Sequence, residues 1–391
     1  MPIDKQLDKP NIFIALNSPL TKNVYSRIGI EELKPFFTIT LLDFLDFFNK
    51  ESTTEISFEP YSDENFEIIR IQNVDHVNSI LSRKRAIFLL DCIGRSDHTY
   101  FIQSLCRQHI INYVHDGLAN TISNSKIRNL LLYCLSKFPD FILVPISFIA
   151  LKIKNKYFIR PDFVLSSSKI GTAWENSSKK RIFSGSRDFF KSEECTKSSN
   201  MELNAFNKPF ILFLDDCLMD SFDFQLGAKK SNILREDYFT MMKIFFDKIE
   251  NQYNMPVIIA AHPVGSNYEN YDKLFGDRKV FFEKTCELSR DCYFSMTHHS
   301  LSVNYPILYN KPIVFLQFDG LLEGVRNLQK EYYRFLGADI FDISKESRHN
   351  LKISHVNKKK YKSFTENHIY SSNKFLLHPY EPLINYFVSK D

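Results

Sequence analysis

Phe210-Ile211-Leu212-Phe213-Leu214 runs without a spacer into Asp215-Asp216. An apolar run that stops at once on two carboxylates reads as a strand buried on both faces, with its carboxyl end opening into a polar loop. Two stretches downstream have the same form. Pro256–Ala261 (PVIIAA) stops on His262-Pro263, and Cys292–Met296 (CYFSM) stops on Thr297-His298-His299-Ser300. Helical stretches lie between them. Asp237–Glu250 carries Tyr238, Met241, Met242, Phe245 and Ile249 along one face, and a shorter helix covers Thr285–Arg290. A helix over Leu301–Tyr309, broken by Pro306, leads to a strand at Pro312–Phe318, and a helix over Leu321–Leu336 follows. Apolar strands that alternate with helices predict an α/β fold with a parallel sheet covered on both faces.

The first half repeats the alternation less clearly. Strands are expected at Asn11–Leu16, Phe36–Leu42, Arg85–Leu90, Ile111–Val114 and Phe158–Leu165, and helices over His98–Ile110 and Asn129–Phe138. The polar, Ser-rich stretch 177–204 reads as the boundary between a domain at 1–200 and a domain at 201–391. With 391 residues the chain suits two domains, and 44% hydrophobic with 25% charged residues suits a folded rather than a disordered protein. A formal net charge of +4, with both signs mixed along the chain, argues against a nucleic-acid partner.

The seven cysteines form no CxxC pair and no Cys/His cluster at zinc spacing, so reduced thiols and a cytoplasmic location are expected. No basic segment followed by an apolar run and a cleavage site opens the chain. The most apolar window, Phe138–Leu151, is too short for a bilayer and contains Pro139 and Pro145.

Ligands of open parallel sheets sit outside the carboxyl ends of the strands. Three consecutive strand ends carry Asp215-Asp216, His262-Pro263 and Thr297–Ser300, and their convergence would make one site. Ser300 and Ser302 open the next helix, where N–H groups and hydroxyls suit a phosphate; an ordinary Ser cap is the alternative. His262 suits a hydrogen bond to a phosphate or leaving group, or a purely structural place at a strand end. Of Asp215 and Asp216, alternation along a strand points only one at the site, with Asp216 slightly favoured. That carboxylate would serve as general base or as nucleophile. No second carboxylate cluster completes a metal site.

The order of these motifs resembles the bacterial sialyltransferases and related transferases that use CMP-activated acidic sugars. Those families have an Asp/Glu-Asp/Glu-Gly motif, an HP dipeptide and a Ser/Thr-rich phosphate motif. The counterparts here are Asp215-Asp216-Cys217, His262-Pro263 and Thr297–Ser302, and the likeness spans roughly residues 208–320. Cys217 replaces the motif glycine, and a His pair stands where a Ser pair is usual.

The resemblance implies a GT-B fold of two Rossmann-like domains with a cleft between them. It implies a CMP-linked sialic, legionaminic or pseudaminic acid or Kdo as donor, with no metal cofactor. The acceptor would be an oligosaccharide or lipid-linked glycan of a capsule or lipopolysaccharide, at the inner face of a bacterial membrane. It implies catalytic roles for Asp216, Asp215 and His262, and donor contacts from His262, Pro263, Thr297, His299, Ser300 and Ser302. Asp91 and Gly94 are the acceptor-side candidates, each equally readable as turn chemistry. Basic runs at Lys179–Arg181 and Lys358–Lys360 suit an anionic membrane or plain solvent. Three alternatives share these residues: a UDP- or GDP-sugar donor, a polyol-phosphate donor, or a non-catalytic sugar-binding module.

Overall fold

The computed structural model describes residues 9–18, 20–48, 66–93, 97–118, 160–171, 175–197, 209–219, 233–345, 350–372 and 374–389. The helix expected at Asn129–Phe138 and the apolar window Phe138–Leu151 lie outside them. The chain forms two compact units, Met1–Arg187 with Ser371–Asp391, and Asp188–Tyr370. The division falls at 187/188 rather than 200/201, and the last stretch counts with the first unit. The Ser-rich stretch read as a linker contains a strand, Lys180–Phe183, and a helix, Arg187–Lys197. Buried Ile182, Phe190 and Cys195 anchor them, apolar positions diluted among many charges.

The first unit holds parallel strands β1 (Asn11–Leu16), β2 (Thr38–Asp43), β3 (Glu67–Arg70), β4 (Phe88–Asp91), β5 (Asn112–Gly117), β6 (Phe163–Ser166) and β7 (Lys180–Phe183). Their order is β3-β2-β1-β4-β5-β6-β7. Side-chain alternation sends Ile12, Ile14 and Leu90 to one face, against Tyr380, Leu383 and Ile384. It sends Phe13, Ala15 and Leu89 to the other, against the helices Val74–Arg83 and Asp97–Gln108. Because both faces are covered, the central strands are apolar throughout rather than alternating.

The helix Glu381–Val388 belongs to this unit. Tyr380, just before it, is fully buried over Gly29, which has φ +70°. A Cβ at position 29 would stand 2.0 Å from Tyr380 Cε2, so only glycine meets both the backbone angle and the space. Arg187 Nη2 bonds the buried Asp116 carboxylate and donates to the Tyr380 hydroxyl at 2.9 Å, and that hydroxyl donates to Asp116 Oδ2 at 3.3 Å.

The second unit holds parallel strands β8 (Ile211–Leu214), β9 (Val257–Ala261), β10 (Val280–Phe282), β11 (Phe294–Thr297), β12 (Ile313–Gln317) and β13 (Asp339–Asp342), in the order β10-β9-β8-β11-β12-β13. One face packs Phe213, Ile259 and Met296 on the long helix Arg235–Tyr253 through Tyr238, Met242, Phe246 and Ile249. The other packs Leu212, Leu214 and Ile258 on Leu288 of the helix Thr285–Asp291. Each such large apolar side chain contributes about 1.5–3 kcal/mol by burial. The helix expected over Leu301–Tyr309 is shorter. A 3-10 turn, Leu301–Val303, precedes a five-residue helix, Asn304–Leu308, whose third residue is Pro306. Proline fits there because a first-turn N–H has no intrahelical partner to lose.

Candidate functional site

Strand β8 lies between β9 and β11, so the loops after these three strands are neighbours at one end of the second sheet. Leu214 is in register with Ala260 and with Thr297, and the three strands therefore stop level.

Asp215 and Asp216 have different partners. Asp215 is buried, and its Oδ1 accepts the Cys217 N–H at 3.0 Å. Its Oδ2 accepts the His262 N–H at 3.1 Å and the Tyr271 hydroxyl at 2.8 Å. This carboxylate thus joins the end of β8 to the start of the His262-Pro263 turn. Burial, and then the neighbouring Asp216, push Asp215 up to about 6, against the lowering effect of those hydrogen bonds. Cys217, at the position of the motif glycine, has φ +50°. The left-handed turn is thus kept without glycine, held by the bond from the Cys217 N–H to Asp215.

Asp216 Oδ2 accepts the His299 N–H at 3.1 Å and stands 2.5 Å from His299 Nδ1. The Asp216 side chain is 5% exposed and that of His299 36% exposed. Asp216 Oδ1 is buried and has no partner among the described residues. Burial pushes Asp216 upward, but the His299 hydrogen bonds and the charges of His298 and His299 hold it below the usual carboxylate range. It is ionised at neutral pH.

His262 is half-buried. Burial lowers its pKa and His299 adds to this, while Asp216 opposes it; the net shift is downward, so His262 is neutral at pH 7. Its carbonyl accepts the Gly265 N–H at 2.8 Å, closing the turn Pro263–Asn267. A Cβ on Gly265 would stand 2.6 Å from the Tyr271 ring, so a small residue there lets Tyr271 reach Asp215.

The Ser/Thr loop forms the cap that is the alternative reading of Ser300. Thr297 Oγ1 accepts the Ser300 N–H at 3.1 Å, and Ser300 Oγ accepts the Ser302 N–H at 3.3 Å. Thr297 and Ser300 are buried, with hydroxyl oxygens engaged in their own turn. The element they open is the 3-10 turn already described, too short to sum a helix dipole. Both hydroxyls thus cap their own turn as acceptors, and each keeps its proton for a further acceptor. Ser302 is half-buried and Pro263 exposed. His298 is fully buried, with Nδ1 at 2.9 Å from the Leu316 carbonyl and Nε2 at 3.0 Å from the Tyr238 hydroxyl. Gln329 Nε2 donates to the His298 carbonyl at 2.7 Å. Tyr238, Tyr271 and Gln329 carry no local sequence signal for these roles, because their partners lie tens of residues away.

In the first unit, Asp91 is fully buried and accepts the Tyr113 hydroxyl at 2.5 Å and the Ile93 N–H at 2.9 Å. It cannot touch an acceptor, and the expectation for it is corrected to a turn-forming carboxylate. Gly94 lies outside the described residues. Of the first basic run, Lys179 pairs with Asp162 at 2.5 Å and Lys180 lies 4.0 Å over the Tyr386 ring. Arg181 donates to the Lys169 carbonyl at 3.0 Å and to Asn176 at 2.7 Å. Lys360 of the second run donates to the Arg334 carbonyl at 3.3 Å. Among the described residues, no three His, Cys, Asp or Glu side chains are grouped to hold a metal ion, and no helix is long and apolar enough to cross a membrane.

No protein-family profile matches the sequence, and no curated protein matches it. In structure the chain is similar to the wall teichoic acid polymerase TagF, with TM-score 0.50 and 10% identity over 97% of this chain and 89% of that one. A variant of the same polymerase gives TM-score 0.54 and 11% identity over the same shares. A UDP-N-acetylglucosamine 2-epimerase from Methanocaldococcus jannaschii, in complex with UDP-GlcNAc and UDP, gives 0.45 and 13% over 91% of this chain and 98% of that one. At such identities the polymerase likeness is one of fold, and the fold is GT-B-like, two Rossmann-like parallel α/β units.

Proposed function

We propose that the chain is a GT-B transferase that moves a group from a nucleotide-activated donor to a hydroxyl of a surface glycan or wall polymer. The single observation that carries this reading is the level stop of β9, β8 and β11 on His262, Asp215-Asp216 and His299. An ionised carboxylate hydrogen-bonded to a half-exposed imidazole suits proton removal from an attacking hydroxyl. The neutral imidazole of His262 suits donation to a departing phosphate, without a metal ion.

Two donor classes fit that arrangement, and both release a nucleoside monophosphate. A CMP-linked acidic sugar, implied by the motif order, would give up its sugar at the anomeric carbon. A nucleoside-diphosphate polyol would give up its polyol phosphate at the distal phosphorus. The fold likeness to a wall teichoic acid polymerase over nearly the whole chain favours the polyol-phosphate donor. A UDP- or GDP-sugar would instead release a diphosphate. Peripheral contact with an anionic membrane would bring a lipid-linked acceptor to the site.

The test is a donor screen with product analysis. Purified protein is incubated with CMP-linked acidic sugars, nucleoside-diphosphate polyols and UDP-sugars, and the released nucleotide and the phosphorus content of the product are measured. Release of a monophosphate with phosphorus in the product supports the polyol-phosphate reading. A monophosphate with a phosphorus-free product returns the acidic-sugar donor. Release of a diphosphate returns a UDP- or GDP-sugar donor and overturns both monophosphate classes, and turnover of no donor overturns the transfer reading.

A further inference from the structure

We infer that His299 is the group that takes the acceptor proton, with Asp216 as its positioning residue; the inference rests on the transfer reading above. The motif order alone gives the proton to the carboxylate of the acidic pair. The geometry gives that carboxylate a different role. Asp216 is ionised, so it has no proton to share with the ring nitrogen 2.5 Å away. The proton between them therefore belongs to His299 Nδ1, and in the neutral ring the basic nitrogen is Nε2. Asp216 Oδ2 also accepts the backbone N–H of the same residue, which fixes the ring to the strand end at two points.

Exposure separates the two groups further. The carboxylate is almost sealed, whereas the imidazole is about a third open. A hydroxyl arriving from solvent meets the ring first. Asp216 Oδ1, buried and unpartnered among the described residues, leaves the carboxylate with capacity to stabilise an imidazolium once it forms.

Written out, the acceptor O–H bond breaks and its proton passes to His299 Nε2. The oxygen lone pair forms the new bond to the electrophilic phosphorus or anomeric carbon. The bond from that centre to the nucleotide oxygen breaks, and its electron pair leaves with the nucleoside monophosphate. The positive charge on His299 is held by Asp216.

The experiment combines kinetics with nitrogen NMR on the full chain, using the nucleotide-activated donor that wild type turns over in the screen above. His299→Ala is expected to lower kcat by about 10²–10⁴-fold, to leave KM within about threefold, and to regain activity with added imidazole. His299→Gln, which keeps a polar side chain of similar length, is expected to lower kcat as far and guards against loss of folding. Asp216→Asn is expected to lower kcat and to shift His299 away from the Nδ1–H tautomer seen in wild type. A His299→Ala or His299→Gln protein that melts like wild type and keeps kcat within about threefold overturns the assignment. So does an Nε2–H tautomer of His299 in wild type. An active wild type with an indifferent His299 removes only this assignment, whereas a wild type that turns over no donor removes the transfer reading.

Discussion

Asp91 ends β4 in the first sheet and Asp216 follows β8 in the second, and each has a histidine at the end of the adjacent strand. Asp91 is in register with His115, and Asp216 is bonded to His299. The first pair is closed, with Asp91 at 0% and His115 at 4% exposure and the Tyr113 hydroxyl on the carboxylate. Burial, the largest influence, pushes Asp91 above its ordinary range. The second pair is open through its imidazole, and its carboxylate is held below the ordinary range. The same two residue types at the same place in a parallel sheet thus give a closed pair in one unit and, in the other, a pair with an open imidazole, the one proposed to handle the proton. Both acids are sealed, and the exposure of the imidazole makes the difference.

The next strand end of the first unit sharpens the contrast most. Replacing Arg187 by Met leaves Asp116 buried without its cation, and unfolding in urea should show a loss of about 3–5 kcal/mol. An unchanged midpoint would mean that the first unit's acids are not structural. A smaller effect sits on the second unit's structural acid. Asp215 is raised in the folded protein to about 6 from 3.8. Its contribution is therefore present below pH 4 and is lost as pH rises through 6. Wild type should lose about 3 kcal/mol relative to Asp215→Asn across that window, read from unfolding curves at each pH. Parallel pH profiles of the two proteins would contradict the assignment.

Asp91→Asn tests the closed pair itself. It disturbs the acceptor of a buried tyrosine hydroxyl and should cost about 1–3 kcal/mol of stability while leaving kcat within about threefold. A large fall in kcat with normal stability would erase the distinction between the two pairs. The smallest effect is expected at Cys217→Gly, where relief of about 1 kcal/mol of left-handed strain offsets loss of a small buried side chain. Calorimetry should place the two melting points within a few degrees of each other, about the shift that 1 kcal/mol produces.

The apolar runs at 211–214, 257–261 and 313–317 were legible because strands buried on both faces need no partner to announce them. Strands β3 and β13 were not, because Glu67-Ile68-Ile69-Arg70 and Asp339-Ile340-Phe341-Asp342 are short and bounded by charge. The Ser-rich stretch misled for a related reason. Composition averages over Ile182, Phe190 and Cys195, and those buried positions decide the local structure. At the site, alternation favoured Asp216 over Asp215 only slightly, because the partners that distinguish them were out of reach. Tyr271 lies 56 residues beyond Asp215, and His299 lies 83 beyond Asp216. Ser300 reads as a ligand or as a cap, and the turn shows the cap.

The return of the last stretch of chain to the first unit carries a consequence for biosynthesis. Residues 11–187 leave the ribosome well before Tyr380, Leu383 and Ile384, which complete their core. Until translation reaches them, Gly29 lacks the ring that covers it, and the apolar face of β1 and β4 is covered only in part, by residues such as Tyr25, Ile28 and Leu33. A nonsense codon after Tyr370 would spare the whole second unit yet leave the first a target for chaperones and proteases.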